Sequence, residues 1–108
     1  MPSPTQLAVL LSGGGRTLQN LADSIGRGEL DAKIGRVISS QADAYGLERA
    51  AGLGIATHTV RPKDHPGTES FSAELFREIR ECRPDLVCLG GWLCLIRVPD
   101  DYTGRVIN

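Results

Sequence analysis

A continuous apolar run, Leu7–Leu11 (LAVLL), ends in Ser12 and three consecutive glycines, and a helix-period segment follows at once. Few architectures accommodate that order. A short run that is apolar at every position fits a strand buried on both faces, as in a parallel sheet covered by helices on each side. Thr17–Ile25 then places Leu18, Leu21, Ala22 and Ile25 at i, i+3, i+4 and i+7, the stripe of one helical face, and Gly26 and Gly28 stop it. The glycines between the two form a strand-to-helix turn of the kind that cradles phosphate.

The alternation continues along the chain. Lys33–Ser40 reads as a second strand, and Ala42–Gly54 as a helix with Asp43 as its cap and Gly54 as its terminator; Gly46 weakens its early turns. Ile55–Val60 is a third strand. A polar loop, Arg61 to Thr68, leads to a helix over Glu69–Cys82 with Phe71, Leu75, Phe76 and Ile79 on its apolar face. Asp85–Gly90 is a fourth strand and Gly104–Asn108 a fifth. The order predicts one α/β domain without internal boundary, a Rossmann-like open, mostly parallel twisted sheet wound by right-handed crossovers and ending after the fifth strand. Ligands of such sheets bind beyond the carboxyl ends of the strands, where strand order reverses. The glycine loop after the first strand and GGWLCLI after the fourth therefore fall at one crevice. Winding also puts the first two helices on one face and the third alone on the other. The apolar surface left open predicts that the isolated chain self-associates.

Composition narrows the partners. Twelve basic residues balance 13 acidic ones without a block of like charge, which leaves no footprint for nucleic acid or a membrane surface. No apolar run approaches the roughly 18 residues of a membrane span, and Met1–Gln6 lacks the basic region and apolar core of a leader. Cys82, Cys88 and Cys94 stand six apart with no CxxC, a pattern of neither a disulfide framework nor a zinc site. No metal is expected, Cys88 reads as a buried free thiol, and a reducing cytoplasm is the natural compartment.

The anion at the glycine loop can be narrowed by elimination. A dinucleotide fingerprint needs G-x-G-x-x-G and an acidic residue ending the second strand. Gly13 and Gly15 match, but Leu18 holds the third position and the second strand ends in Ser39-Ser40. The ATP loop needs a lysine and a hydroxyl residue after its last glycine, and Lys33 is far away. What remains is a set of backbone N–H groups from Gly13, Gly14 and Gly15 at a helix start, with Arg16 to add a charged bond and Thr17 a hydroxyl donor or cap. A monophosphate on a substrate fits; a plain tight turn is the competing reading.

Two further features stay open on the residues alone. Trp92, Leu93, Cys94, Leu95 and Ile96 either wall a pocket for a flat heteroaromatic ligand or form a satellite apolar cluster. Asn108 either donates its carboxamide to a developing oxyanion or simply ends a strand.

Together these residues resemble the glycinamide ribonucleotide formyltransferases. The resemblance runs from Leu7 to Asn108 and rests on VLLSGGGRTLQNL, ADAYGLERAAGLGIATHT, PDLVCLGGWL and GRVIN, the second being the most specific. It implies that Gly13, Gly14, Gly15, Arg16 and Thr17 hold the phosphate of glycinamide ribonucleotide. It further implies that Leu93, Cys94, Leu95 and Ile96 line the pterin pocket for 10-formyltetrahydrofolate, the formyl donor. Asn108 would contact that donor and polarise the formyl carbonyl as catalytic residue. The family's usual Ser-Gly-x-Gly-Ser-Asn is here Ser12-Gly13-Gly14-Gly15-Arg16-Thr17, Thr68 replaces a basic residue before the third helix, and the segment before GRVIN is shorter. The family's histidine just after the asparagine, and its aspartate farther on, are not in these 108 residues. His58 and His65 are read as solvated surface residues. The rival readings are a shortened, non-catalytic relative that binds a sugar phosphate, a formyltetrahydrofolate hydrolase and a methionyl-tRNA formyltransferase.

Overall fold

A computed structural model describes residues 4–108; the Met1–Ser3 part of the N-terminal segment lies outside the described residues. The chain runs β1 (Thr5–Leu11), α1 (Arg16–Gly26), β2 (Ala32–Ser39), α2 (Tyr45–Gly52), β3 (Thr57–Thr59), α3 (Thr68–Arg80), β4 (Leu86–Leu89) and β5 (Val106–Ile107), with 3-10 turns at Pro62–Asp64 and Asp100–Tyr102. The sheet is five-stranded in the order β3-β2-β1-β4-β5, and every neighbouring pair is parallel. The predicted Rossmann-like architecture and its reversal between β1 and β4 are therefore present.

β1 shows why the apolar run had to be central. Leu7, Val9 and Leu11 point to one face, where Leu18 of α1 and Ala50 of α2 meet them. Ala8 and Leu10 point to the other, where Phe71, Leu75, Phe76 and Ile79 of α3 cover them. Each Leu or Val so buried contributes about 1.5–3 kcal/mol relative to exposure. One irregularity sets the register of β2. Leu7 pairs with Ile34 but Ala8 with Arg36, so Gly35 is an extra residue and the strand bulges there. The bulge puts Ile34 and Val37, three apart, on the same face.

Several boundaries differ from the sequence pattern. α2 begins at Tyr45, capped by the extended Ala44 with no side-chain bond, so Asp43 does not serve as its cap. The expected helix stops hold: Gly28 and Gly54 lie at φ 75° and 74°, the left-handed turn that ends each helix. β3 is only three residues long, Thr57–Thr59, although the Ala56 carbonyl just before it still accepts from the Val37 N–H at 2.9 Å. The cysteines are free, with Cys88 buried; burial pushes its thiol and that of Cys82 upward.

Candidate functional site

The glycine loop leaves β1 and enters α1 through Gly15, which caps the helix in the left-handed conformation at φ 78° and without a side-chain bond. Thr17 is therefore inside the first turn rather than the cap. The loop is braced from behind by α2. The Gly46 N–H donates to the Gly13 carbonyl at 2.9 Å, and Arg49 Nε donates to the Gly14 carbonyl at 2.7 Å. In a trans peptide the N–H points opposite to the carbonyl. Fixing both carbonyls toward α2 thus turns the Gly14 and Gly15 N–H groups outward, beside the open helix terminus. That arrangement leaves backbone donors beside the start of α1, the end of a helix that favours an anion. Arg16 and Thr17 are exposed at the rim of the loop.

The brace demands close backbone approach. A Cβ on Gly15 would stand 2.7 Å from the Gly46 Cα, and one on Gly46 would stand 2.5 Å from Leu11 Cδ2 and 3.1 Å from the Gly13 oxygen. Gly46, an oddity in a helix pattern, is required by the loop that packs on it.

The second loop leaves β4 through Gly90, where a Cβ would stand 3.0 Å from the Thr17 Cβ. Its side chains then alternate. Leu93 and Leu95 are 83% and 84% exposed, whereas Cys94 and Ile96 pack against the core beneath α3. Leu93, Cys94 and Leu95 border a cavity of about 420 Å³ with Pro62, His65, Gly67, Thr68 and Phe71. Ile96 is not among the residues bordering it. Trp92, expected to be presented with its neighbours, instead turns inward and stacks on Phe71 at 6.0 Å and 8°. Its buried indole Nε1 finds no partner among the described residues.

Asn108 follows Ile107, which pairs with Cys88 in the ladder, and is exposed at the carboxyl end of β5. β1, β4 and β5 are consecutive neighbours, so the glycine loop, the Gly90–Ile96 segment and Asn108 leave three adjacent strand ends on one edge. β5 is held by Arg105, whose guanidinium donates to the carbonyls of Pro84 (2.7 Å), Asp85 (2.9 Å) and Asp101 (3.0 Å). It also lies 4.8 Å from the centre of the buried Tyr102 ring. Arg80 pairs with Asp101 at 2.9 Å, and its hydrogen bonds hold the Asp101 carboxyl below the usual carboxylate range.

Both histidines lie partly exposed at the surface, and each has a polar neighbour. His65 lies 2.9 Å from the Ser70 hydroxyl and edge-on to Phe71. His58 lies 3.4 Å from Glu78, and with Glu74 these residues place three metal-ligand-type atoms within 4.8 Å of one another. Arg36 occupies the same Glu78 oxygen at 3.2 Å and Arg77 pairs with Glu74. Each carboxylate is already neutralised by a guanidinium, so the group reads as an ion-pair network. A larger cavity, about 560 Å³, opens between Ser40–Asp43 and Arg61–Lys63. It follows β2 and β3 rather than the β1–β4 reversal.

A parallel sheet with a glycine loop after its first strand and a loop with exposed leucines after its fourth defines a class. The chain belongs to the Formyl transferase family, which it matches over residues 5–108. Within that family its similarity points to enzymes of purine synthesis. The phosphoribosylglycinamide formyltransferase of Escherichia coli K12 is 36% identical over 104 residues, covering 94% of this chain and 49% of its own length. The trifunctional purine biosynthetic protein adenosine-3 of Drosophila pseudoobscura is 39% identical over 107 residues, 95% of this chain and 8% of the relative. The solved phosphoribosylglycinamide formyltransferase of Coxiella burnetii superposes with TM-score 0.90 at 35% identity, covering 96% of this chain and 50% of that one. The glycinamide ribonucleotide transformylase 1 of Symbiobacterium toebii gives 0.87 at 36%, covering 95% and 50%. The chain thus spans about half the length of the single-function relatives. No helix among the described residues is long and apolar enough to cross a membrane.

Sequence reasoning missed Ser12, Ser40, Arg49 and Arg105 as supports of these loops. Only Gly46 left a local mark, as a glycine interrupting a helix pattern.

Proposed function

We propose that this chain is the phosphate-binding half of a phosphoribosylglycinamide formyltransferase. The complete protein would move a formyl group from 10-formyltetrahydrofolate to the amine of glycinamide ribonucleotide. The observation that carries the reading is the convergence of three loops at adjacent strand ends in a chain of this family.

The Gly14 and Gly15 N–H groups and the start of α1 bind the substrate phosphate, with Gly13 opening the loop, Arg16 supplying charge and Thr17 a hydroxyl. Leu93, Cys94 and Leu95 offer an apolar wall to the flat pterin of the donor, and Ile96 supports that wall from the core. With both substrates held, the amine attacks the formyl carbon as a neighbour rather than by collision. The carbon–nitrogen bond forms, the carbonyl oxygen becomes an oxyanion, and the Asn108 carboxamide N–H donates to it. Collapse breaks the bond to the folate nitrogen, which takes up a proton while the former amine loses one.

Asn108→Ala in the complete protein is expected to lower kcat by about 10²–10³-fold, the usual cost of an oxyanion donor. Release of tetrahydrofolate from 10-formyltetrahydrofolate, followed with and without glycinamide ribonucleotide, measures it. Turnover unchanged by Asn108→Ala would overturn the role, and no ribonucleotide-dependent turnover in the unaltered protein would overturn the function.

A further inference from the structure

We propose that Ser12 is a positioning residue whose buried hydroxyl ties the glycine loop to the Gly91–Ile96 segment, so that an anion on the first loop stiffens the second. The inference rests on the anion-binding reading above and adds to it the path by which the two substrate loops communicate.

Ser12 is the last residue before the glycines and is only 4% exposed. Its N–H donates to the Gly91 carbonyl at 3.2 Å. Its Oγ accepts from the Leu93 N–H at 3.1 Å and from the Ser40 hydroxyl at 2.7 Å. Ser40, also 4% exposed, is itself anchored by its N–H on the Leu11 carbonyl at 3.1 Å. One oxygen atom thus joins segments that leave β1, β2 and β4.

The brace on the other side gives the tie its consequence. The Gly13 and Gly14 carbonyls are fixed to α2, so the loop cannot yield backward when an anion draws its N–H groups together. Ser12 adjoins Gly13, so order imposed on the loop passes to Ser12 and, through its hydroxyl, to the Leu93 amide. Occupancy of the glycine loop therefore tightens the bond that sets Leu93 in place, at the head of the apolar wall. By linkage the effect is mutual: a ligand that orders Leu93 raises anion affinity by the same factor.

Amide hydrogen exchange by NMR on the complete protein tests this without relying on a variant alone. In the unaltered chain the Leu93 amide is expected to exchange slowly while that of Leu95, in the same exposed segment, exchanges fast. Ribose 5-phosphate is then expected to shift the Gly14 and Gly15 amide resonances and slow Leu93 further. Ser12→Ala should release Leu93 and abolish its response to ribose 5-phosphate, while the Gln19 amide of α1, bonded to the Gly15 carbonyl at 2.9 Å, keeps its protection. Leu93 exchanging as fast as Leu95 in the unaltered chain would overturn the tie, even if Ser12→Ala failed to fold. Glycine shifts with no change at Leu93 would overturn the coupling and leave the anion site standing. No glycine shifts at all would overturn the anion site and the coupling with it.

Discussion

Replacing Gly15 with alanine isolates the cost of the backbone geometry on which the glycine loop depends. Two penalties act at this position. An L-residue at φ 78° pays about 1–2 kcal/mol for the left-handed conformation. The added methyl would also stand 2.7 Å from the Cα of Gly46, a backbone atom in a helix that cannot step aside as a side-chain tip would. Overpacking of that kind costs about 1–3 kcal/mol, so the two effects together amount to about 2–5 kcal/mol. Against a typical domain stability of about 5–15 kcal/mol, the variant should fold but melt early. Gly14→Ala is the control, since a Cβ there meets nothing within 4 Å and its φ is not in the left-handed range; it should stay within about 0.5 kcal/mol. Urea unfolding followed by Trp92 emission and by far-ultraviolet circular dichroism gives both numbers, with an unchanged slope showing that only stability moved. Equal stabilities for Gly15→Ala and Gly14→Ala would refute the argument that close approach and φ, rather than loop flexibility, dictate glycine here.

Other outcomes follow from the supports around β5 and the open apolar edge. Arg105→Lys should destabilise by about 1–3 kcal/mol, because an ammonium cannot serve three carbonyls held by a planar fork; thermal unfolding unchanged from the parent would contradict it. Asp101 is more acidic folded than unfolded because Arg80 binds its charged form. Its contribution is therefore complete at neutral pH and is lost as the pH falls through the carboxylate range. Asp101→Asn should flatten the acid side of the stability profile, and a profile as steep as the parent's would count against the pair. Leu93, Leu95, Val98 and Ile107 are all exposed around the β4–β5 side of the sheet, so the 108-residue chain should show concentration-dependent sedimentation. A constant monomeric coefficient would contradict that.

What the sequence made legible was whatever local pattern encodes. The run Leu7–Leu11 fits a strand buried on both faces, and the stripe Phe71, Leu75, Phe76, Ile79 fits a helix on a core, as both are. Their order implied the β1–β4 reversal and hence the crevice. The supports of the site were silent because they join distant positions. Ser12 meets Leu93 across 81 residues and Arg49 meets Gly14 across 35, separations that leave no periodicity. Trp92 illustrates a second limit. In an apolar stretch with loop geometry, nothing local says which side chain faces the core, and Phe71 on α3 decides it. Asp43 failed as a cap because α2 begins later than its apolar pattern, with Gly46 seated against the glycine loop.

The placement of β1 also bears on how the chain is made. β1 is the central strand, paired with β2 on one side and β4 on the other, yet β4 arrives late: Gln6 and Asp85, joined at the start of the two strands by bonds of 2.7 and 2.8 Å, are 79 positions apart. At about 5–20 residues per second, the β4-facing edge of Leu7–Leu11 waits roughly 4–16 s after synthesis before its ladder can close. During that interval β2 can pair one side and α1 can shelter one face, while the other edge and the face meant for α3 remain sticky. The strand that makes the finished sheet coherent is thus the segment of the newborn chain most in need of a chaperone.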